Sequence, residues 1–194
     1  MFKSSTTLVA TIFIYLFLNL NVSAGVVPDK KQTLAGQYLT ATQAADMLAD
    51  PAILFIDVRT VEELIFVGLP DRVNLNLPIM QLPEIGGYDV QKASYPMQTD
   101  PEFRSSFRNF AASREMDMDT PIVLICRSGG RSAKAADLLY KWGYTNVFSV
   151  IDGFEGDKAK DGPMAGYRVV NGWKNANLPW GYQIEPSQAN PADK

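Results

Sequence analysis

Apolar and polar positions along the chain fall into blocks. The apolar blocks AILFID (52–57), TPIVLIC (120–126) and NVFSVI (146–151) are short and show little polar alternation. Runs of this length predict strands covered on both faces. Between two of them the period becomes helical: in RSAKAADLLYKW (131–142), Ala135, Leu138, Leu139 and Trp142 recur at i, i+3, i+4 and i+7. Gly143 then ends the helix by permitting positive φ. Asp100 and Pro101 suit the start of another helix, with Phe103, Phe107 and Phe110 along one side as a core stripe. Thr40 with Gln43 and Thr60 with Glu63 have capping-box spacing, which predicts a helix through Leu48 and another over VEELIF (61–66). RVNLNLP (72–78) sets Val73, Leu75 and Leu77 against two asparagines and reads as a strand ended by Pro78.

The recurring order of strand, helix and strand is that of an α/β domain with a mainly parallel sheet. Residues 25–37 read as an irregular lead-in to a domain spanning 38–185, and the tail PSQANPADK (186–194) reads as disordered. Residues 79–98, rich in Pro, Gly and Tyr, form a long loop whose Tyr88 and Tyr95 are candidates for substrate contact, though packing or solvation explains them more simply. From Asp152 the periodicity fades, and this segment is expected to pack back on the domain through Trp173 and Trp180.

The N-terminus changes the picture of where the domain works. Lys3, the apolar run Leu8–Leu20 and the small residues Val22-Ser23-Ala24 have the layout of an export signal over 1–24, cleaved after Ala24. Asn19 and Asn21 interrupt the run before it is long enough to span a bilayer, so no stable membrane insertion is expected after removal of the signal. The formal charge of −3 argues against a nucleic-acid partner. A bacterial periplasmic location follows as the expectation.

The candidate chemistry rests on one residue. Cys126 is the only cysteine and the chain has no histidine, which excludes an internal disulfide, a Cys/His dyad and a histidine-containing metal site; neither cofactor nor metal is expected. Cys126 closes a strand and is followed by RSGGRS at the start of a helix, the edge at which open α/β sheets bind ligands. Gly129 and Gly130 allow a tight turn whose N–H groups, with the helix N-terminus, form a ring that favours a thiolate and holds an anion. Arg127 and Arg131 add positive charge.

At these residues the chain resembles the single-domain rhodaneses, the thiosulfate-type sulfurtransferases. CRSGGRS resembles their active-site loop, ILFIDVRTVEEL their strand, Asp-x-Arg and short acidic helix, and GWKNANLPW a tryptophan and Leu-Pro segment near the end of such domains. The resemblance implies a three-layer domain with helices on both faces of the sheet. It implies Cys126 as nucleophile and persulfide carrier, with Arg127, Ser128, Gly129, Gly130 and Arg131 as a cradle in which Arg131 faces the donor. Asp57 and Arg59 resemble the family's strand-end pair and would brace loops. The implied partners are a small anionic sulfur donor such as thiosulfate and an acceptor that is cyanide, a thiol or a protein thiol.

Two segments depart from the family pattern. VGLPDRVNLNLP replaces a stretch that usually carries a His and a Gly-Ala-x-Asn turn, while DGFEG replaces a Gly-Gly turn and some twenty residues, DKAKDGPMAGYRVVN with its flanks, intervene before Gly172-Trp173. Both lie where access to the pocket is shaped, which leaves the acceptor open. Cysteine-dependent phosphatases and arsenate reductases also use a Cys-to-Arg loop, but theirs places five residues between the two. Here four separate Cys126 from Arg131, and position 132 is Ser, which favours sulfur over phosphate. Phosphate chemistry would also want a general acid, for which Asp57 is the one unanchored candidate. A persulfide-delivery or binding module is the remaining alternative; thiol redox work would need a resolving thiol from elsewhere.

Overall fold

Each apolar block becomes a strand buried on both sides in the computed structural model, which describes residues 27–190. In chain order the elements are β1 (Tyr38–Leu39), α1 (Ala41–Met47), β2 (Leu54–Asp57), α2 (Val61–Val67), β3 (Leu69–Pro70), β4 (Leu75–Asn76), β5 (Met80–Gln81), β6 (Gln98–Thr99), α3 (Phe103–Ser113), β7 (Ile122–Ile125), α4 (Gly130–Lys141), β8 (Val147–Val150) and β9 (Trp180–Gly181). The central sheet runs β1-β8-β7-β2-β4 with every pairing parallel. The fold is α/β.

Alternation along the strands sorts side chains into two cores. Leu54, Ile56, Ile122 and Leu124 meet Phe103 and Phe107 of α3 and Ala135 and Leu139 of α4. Phe55, Val123 and Ile125 face the other way, toward Ala44 of α1, Leu64 of α2, Phe154 and Trp173. A sheet covered on both faces cannot show polar alternation in its strands, which is why the blocks are uniformly apolar.

The short helices begin where their caps predict. Thr40 and Thr60 each accept the N–H of the residue three later, while the Gln43 and Glu63 side chains accept the cap's own N–H. In α3 the aromatic stripe is core, Phe107 lying edge-on to Tyr144. The register pairs Leu54 with Ile122 through to Asp57 with Ile125, so β2 and β7 end side by side and deliver Asp57 and Cys126 to one edge.

Four expectations need correction. Of RVNLNLP only Leu75–Asn76 pairs as a strand, and its asparagines turn to backbone rather than to water: Asn76 Nδ2 donates to the carbonyls of Asp57 (3.0 Å) and Arg59 (2.8 Å), and Asn74 Oδ1 accepts from Phe55 N. The lead-in holds a 3₁₀ turn, Asp29–Lys31, docked on α4, and the buried Lys31 pairs with Asp157 at 2.7 Å. The 79–98 segment is closed at its base by the β5–β6 hairpin. The tail is ordered through Asn190: Gln188 is buried, its carbonyl accepts from Asn76 N at 2.6 Å and its amide donates to Val73 O. The expected signal, residues 1–24, and the final residues 191–194 lie outside the described part.

Candidate functional site

The turn after β7 is shaped by one glycine. Gly129 adopts φ 96°, and a Cβ there would stand 2.1 Å from the Ile151 carbonyl oxygen. No L side chain fits that conformation or that space. Gly130, also expected to be needed for the turn, opens α4 instead, without positive φ and with nothing closer to a Cβ than 3.8 Å. Gly129→Ala is therefore expected to destabilise the fold by about 2 kcal/mol or more, whereas Gly130→Ala stays within about 1 kcal/mol; urea midpoints of the two variants check the contrast.

With the turn closed, Gly129 N–H donates to Cys126 Sγ at 3.2 Å. The Cys126 and Arg127 carbonyls accept from Phe154 N and Glu155 N, which ties the loop to the DGFEG segment. The N–H groups of Arg127, Ser128, Gly130, Arg131 and Ser132 have no acceptor among the described residues. These free donors flank the sulfur at a helix N-terminus, where negative charge is favoured. The thiol itself is buried.

Two buried hydroxyls behind the sulfur escape sequence reasoning. Ser132 Oγ lies 3.6 Å from Cys126 Sγ, donates to Gly129 O at 3.0 Å and is joined to Ser149 Oγ at 3.0 Å. Ser132 closes the CRSGGRS motif, but nothing local marks Ser149 on β8. Gly153 is a third such residue: with φ 65°, a Cβ there would stand 2.5 Å from Cys126 O. Its bare α-carbon is what lets DGFEG lie against the loop.

The arginines divide the work. Arg127 is exposed, and its guanidinium has no hydrogen-bond or ion-pair partner among the described residues. Arg131, expected to face the donor, is held instead by Glu63 through two 2.6 Å bonds, Nη1 to Oε2 and Nη2 to Oε1. That fork joins α4 to α2 and makes Glu63 both helix cap and loop anchor. Burial acts to raise the Glu63 carboxyl, but the bonds to Arg131 and its charge outweigh burial and hold it below its ordinary value of 4.5. A carboxyl that binds its proton more weakly when folded adds stability above pH 4.5, lost as pH falls through the lower folded value. Glu63→Gln should lose about 1–2 kcal/mol near neutrality and flatten the acid limb of a stability–pH curve measured by urea unfolding.

Asp57 and Arg59 are fully buried and bound to each other. Arg59 Nη2 reaches Asp57 Oδ2 at 2.5 Å and Gly68 O at 2.8 Å, and its guanidinium carbon lies 4.1 Å from the centroid of the Phe154 ring. Locked in this pair, Asp57 is not available as a general acid. Tyr88 and Tyr95 stack edge-to-face on each other in the exposed hairpin. The inserted segment brings Arg168 near the loop, its Nη1 donating to Gly156 O at 2.6 Å; burial first and the Arg127 charge second lower its affinity for the proton.

Two cavities differ in relevance. One of about 680 Å³ lies between α3 and the far end of α4, lined by Arg104, Trp142 and Tyr144, away from the thiol. A smaller one of about 330 Å³ is bordered by Arg127 and Arg131, with Phe66, Val67, Leu82 and Met97 as its apolar wall. Of these two, the second borders the Cys126 loop, through Arg127 and Arg131.

Residues 40–160 match the family model of the rhodanese-like domain. The chain belongs to the rhodanese-like family. The crystal structure of Rv0390 from M. tuberculosis superposes on this rhodanese-like domain with a TM-score of 0.55 and 27% identity, covering 76% of this chain and 98% of that one. The uncharacterized protein RP600 of Rickettsia prowazekii is 32% identical over 145 residues, 74% of this chain and 96% of that protein. The thiosulfate sulfurtransferase GlpE of Haemophilus influenzae is 40% identical over 55 residues, 28% of this chain and 52% of that protein.

Proposed function

We propose that this rhodanese-like protein is a thiosulfate-type sulfurtransferase that carries sulfur as a persulfide on Cys126, working in an exported, periplasmic setting. The observation that carries the reading is the cradle: a sulfur accepting the Gly129 N–H at 3.2 Å, beside five loop and helix amides without acceptors and an unpaired Arg127. The partial similarity to a named thiosulfate sulfurtransferase supports the donor.

In the first half-reaction the Cys126 thiolate, its proton released to solvent, attacks the outer sulfur of thiosulfate. A new S–S bond forms, the donor's S–S bond breaks, and sulfite leaves with the bonding electron pair. Arg127 offsets repulsion between the two anions, and the free amides hold the charge left on the outer sulfur. In the second half-reaction cyanide or a thiolate attacks that sulfur, leaving as thiocyanate or a persulfide and restoring the Cys126 thiolate. No histidine is needed, because proton transfer is not part of either displacement.

Initial rates with thiosulfate and cyanide varied together should give the parallel double-reciprocal lines of a ping-pong mechanism. Intersecting lines, or hydrolysis of an aryl phosphate in place of sulfur transfer, would refute the reading.

A further inference from the structure

The wall of the smaller cavity offers chemistry that the donor cannot use. Phe66, near the end of α2, is 77% exposed, and Leu82, just past β5, is 47% exposed; with Val67 and Met97 they flank the space that Arg127 and Arg131 close on the other side. Thiosulfate, sulfite and cyanide are small hydrated anions that gain nothing from covering an aromatic ring and aliphatic side chains. A volume of about 330 Å³ is at the lower end of small-molecule sites and exceeds what any of these anions fills. Arg131 is already neutralised by Glu63, so the one uncommitted cation there is Arg127 among the described residues. The site therefore presents Arg127 as its uncommitted cation beside an apolar face, with the exposed Glu62 carboxylate also in the lining.

We infer that this cavity is an acceptor subsite for a small organic thiol with an apolar body, which enters as a thiolate toward Arg127 and covers Phe66 and Leu82 while it attacks the persulfide. The inference rests on the sulfur-transfer reading and names its acceptor. The bond count is that of the second half-reaction: the acceptor sulfur bonds the outer sulfur, the Cys126 S–S bond breaks, and Cys126 keeps the electron pair. The wall comes from the exposed side of α2 and from the 79–98 loop, which contributes Leu82 and Met97 rather than the candidates Tyr88 and Tyr95.

The test compares phenylmethanethiol with 2-mercaptoethanol, thiols of similar acidity and different apolar area, as acceptors from the thiosulfate-loaded protein. The expected result is a kcat/KM larger by about tenfold for the aromatic thiol, the scale of burying one to two methylene equivalents. The preference should fall to near unity in Phe66→Ser/Leu82→Ser and survive in Phe66→Leu, which keeps apolar surface at the same place. Equal kcat/KM for the two thiols, or a preference that persists in the double serine variant, overturns the inference. Failure of thiosulfate to load Cys126 overturns the sulfur-transfer reading instead, and the mass of the loaded protein separates the two failures.

Discussion

Incubated with thiosulfate, the protein should gain the mass of one sulfur atom at Cys126, and Cys126→Ser should gain none and lose sulfur transfer to every acceptor. The effect is expected to be complete because a serine hydroxyl is neither ionised near neutrality nor able to form the S–S bond on which both half-reactions depend. It is not expected to unfold the protein. Oxygen can accept the Gly129 N–H that sulfur accepts at 3.2 Å, and Ser132 and Ser149 supply polar neighbours. Intact mass spectrometry with peptide mapping, alongside thiocyanate formation, checks both parts. Turnover surviving in Cys126→Ser, or added mass at another residue, would move the chemistry off this loop.

The largest effect on stability should come from Asp57→Ala. Arg59 is fully buried, and three of its contacts with protein run to Asp57, with one more to Gly68 O. Its Nη1 already has no partner, so no spare acceptor is at hand to take up the charge. Deleting the carboxylate leaves a buried unpaired cation, a change that costs about 3–5 kcal/mol. Adding Arg59→Met removes the stranded charge and should recover part of the loss, which urea unfolding of the single and double variants would measure. Recovery identifies the pair as a brace between the end of β2, the turn after α2 and, through Asn76, β4. A loss of persulfide loading in the still-folded double variant would instead give the pair a part in the chemistry.

How much of the protein was legible follows the range of the interactions. Both capping boxes could be placed because cap and partner stand three residues apart on one turn of backbone. The strands β2, β7 and β8 could be placed because burial on both faces leaves an unbroken apolar run, whereas the two-residue β1 has no such run. The turn at Gly129 could be placed because it lies between a strand and a helix that each carry their own signal. The Gly129–Gly130 pair was over-read, since the second glycine begins a helix and needs no unusual φ. RVNLNLP was over-read because alternation cannot say whether an asparagine faces water or a neighbouring carbonyl.

Contacts set by packing stayed hidden. Glu63 and Arg131 are 68 positions apart, Lys31 and Asp157 are 126 apart, and Gln188 reaches Val73 across 115. Gly153 carries no local mark of its place against Cys126 O. The order of residues was enough to specify the parallel α/β framework and the tight loop that follows Cys126, because each depends on spacings of a few residues. Which arginine stays unpaired, which carboxylate holds the other, and which apolar side chains border them were decided only when α2, the 79–98 loop and DGFEG closed around that loop. Those contacts depend on which surfaces fold together, and no short interval of sequence encodes them.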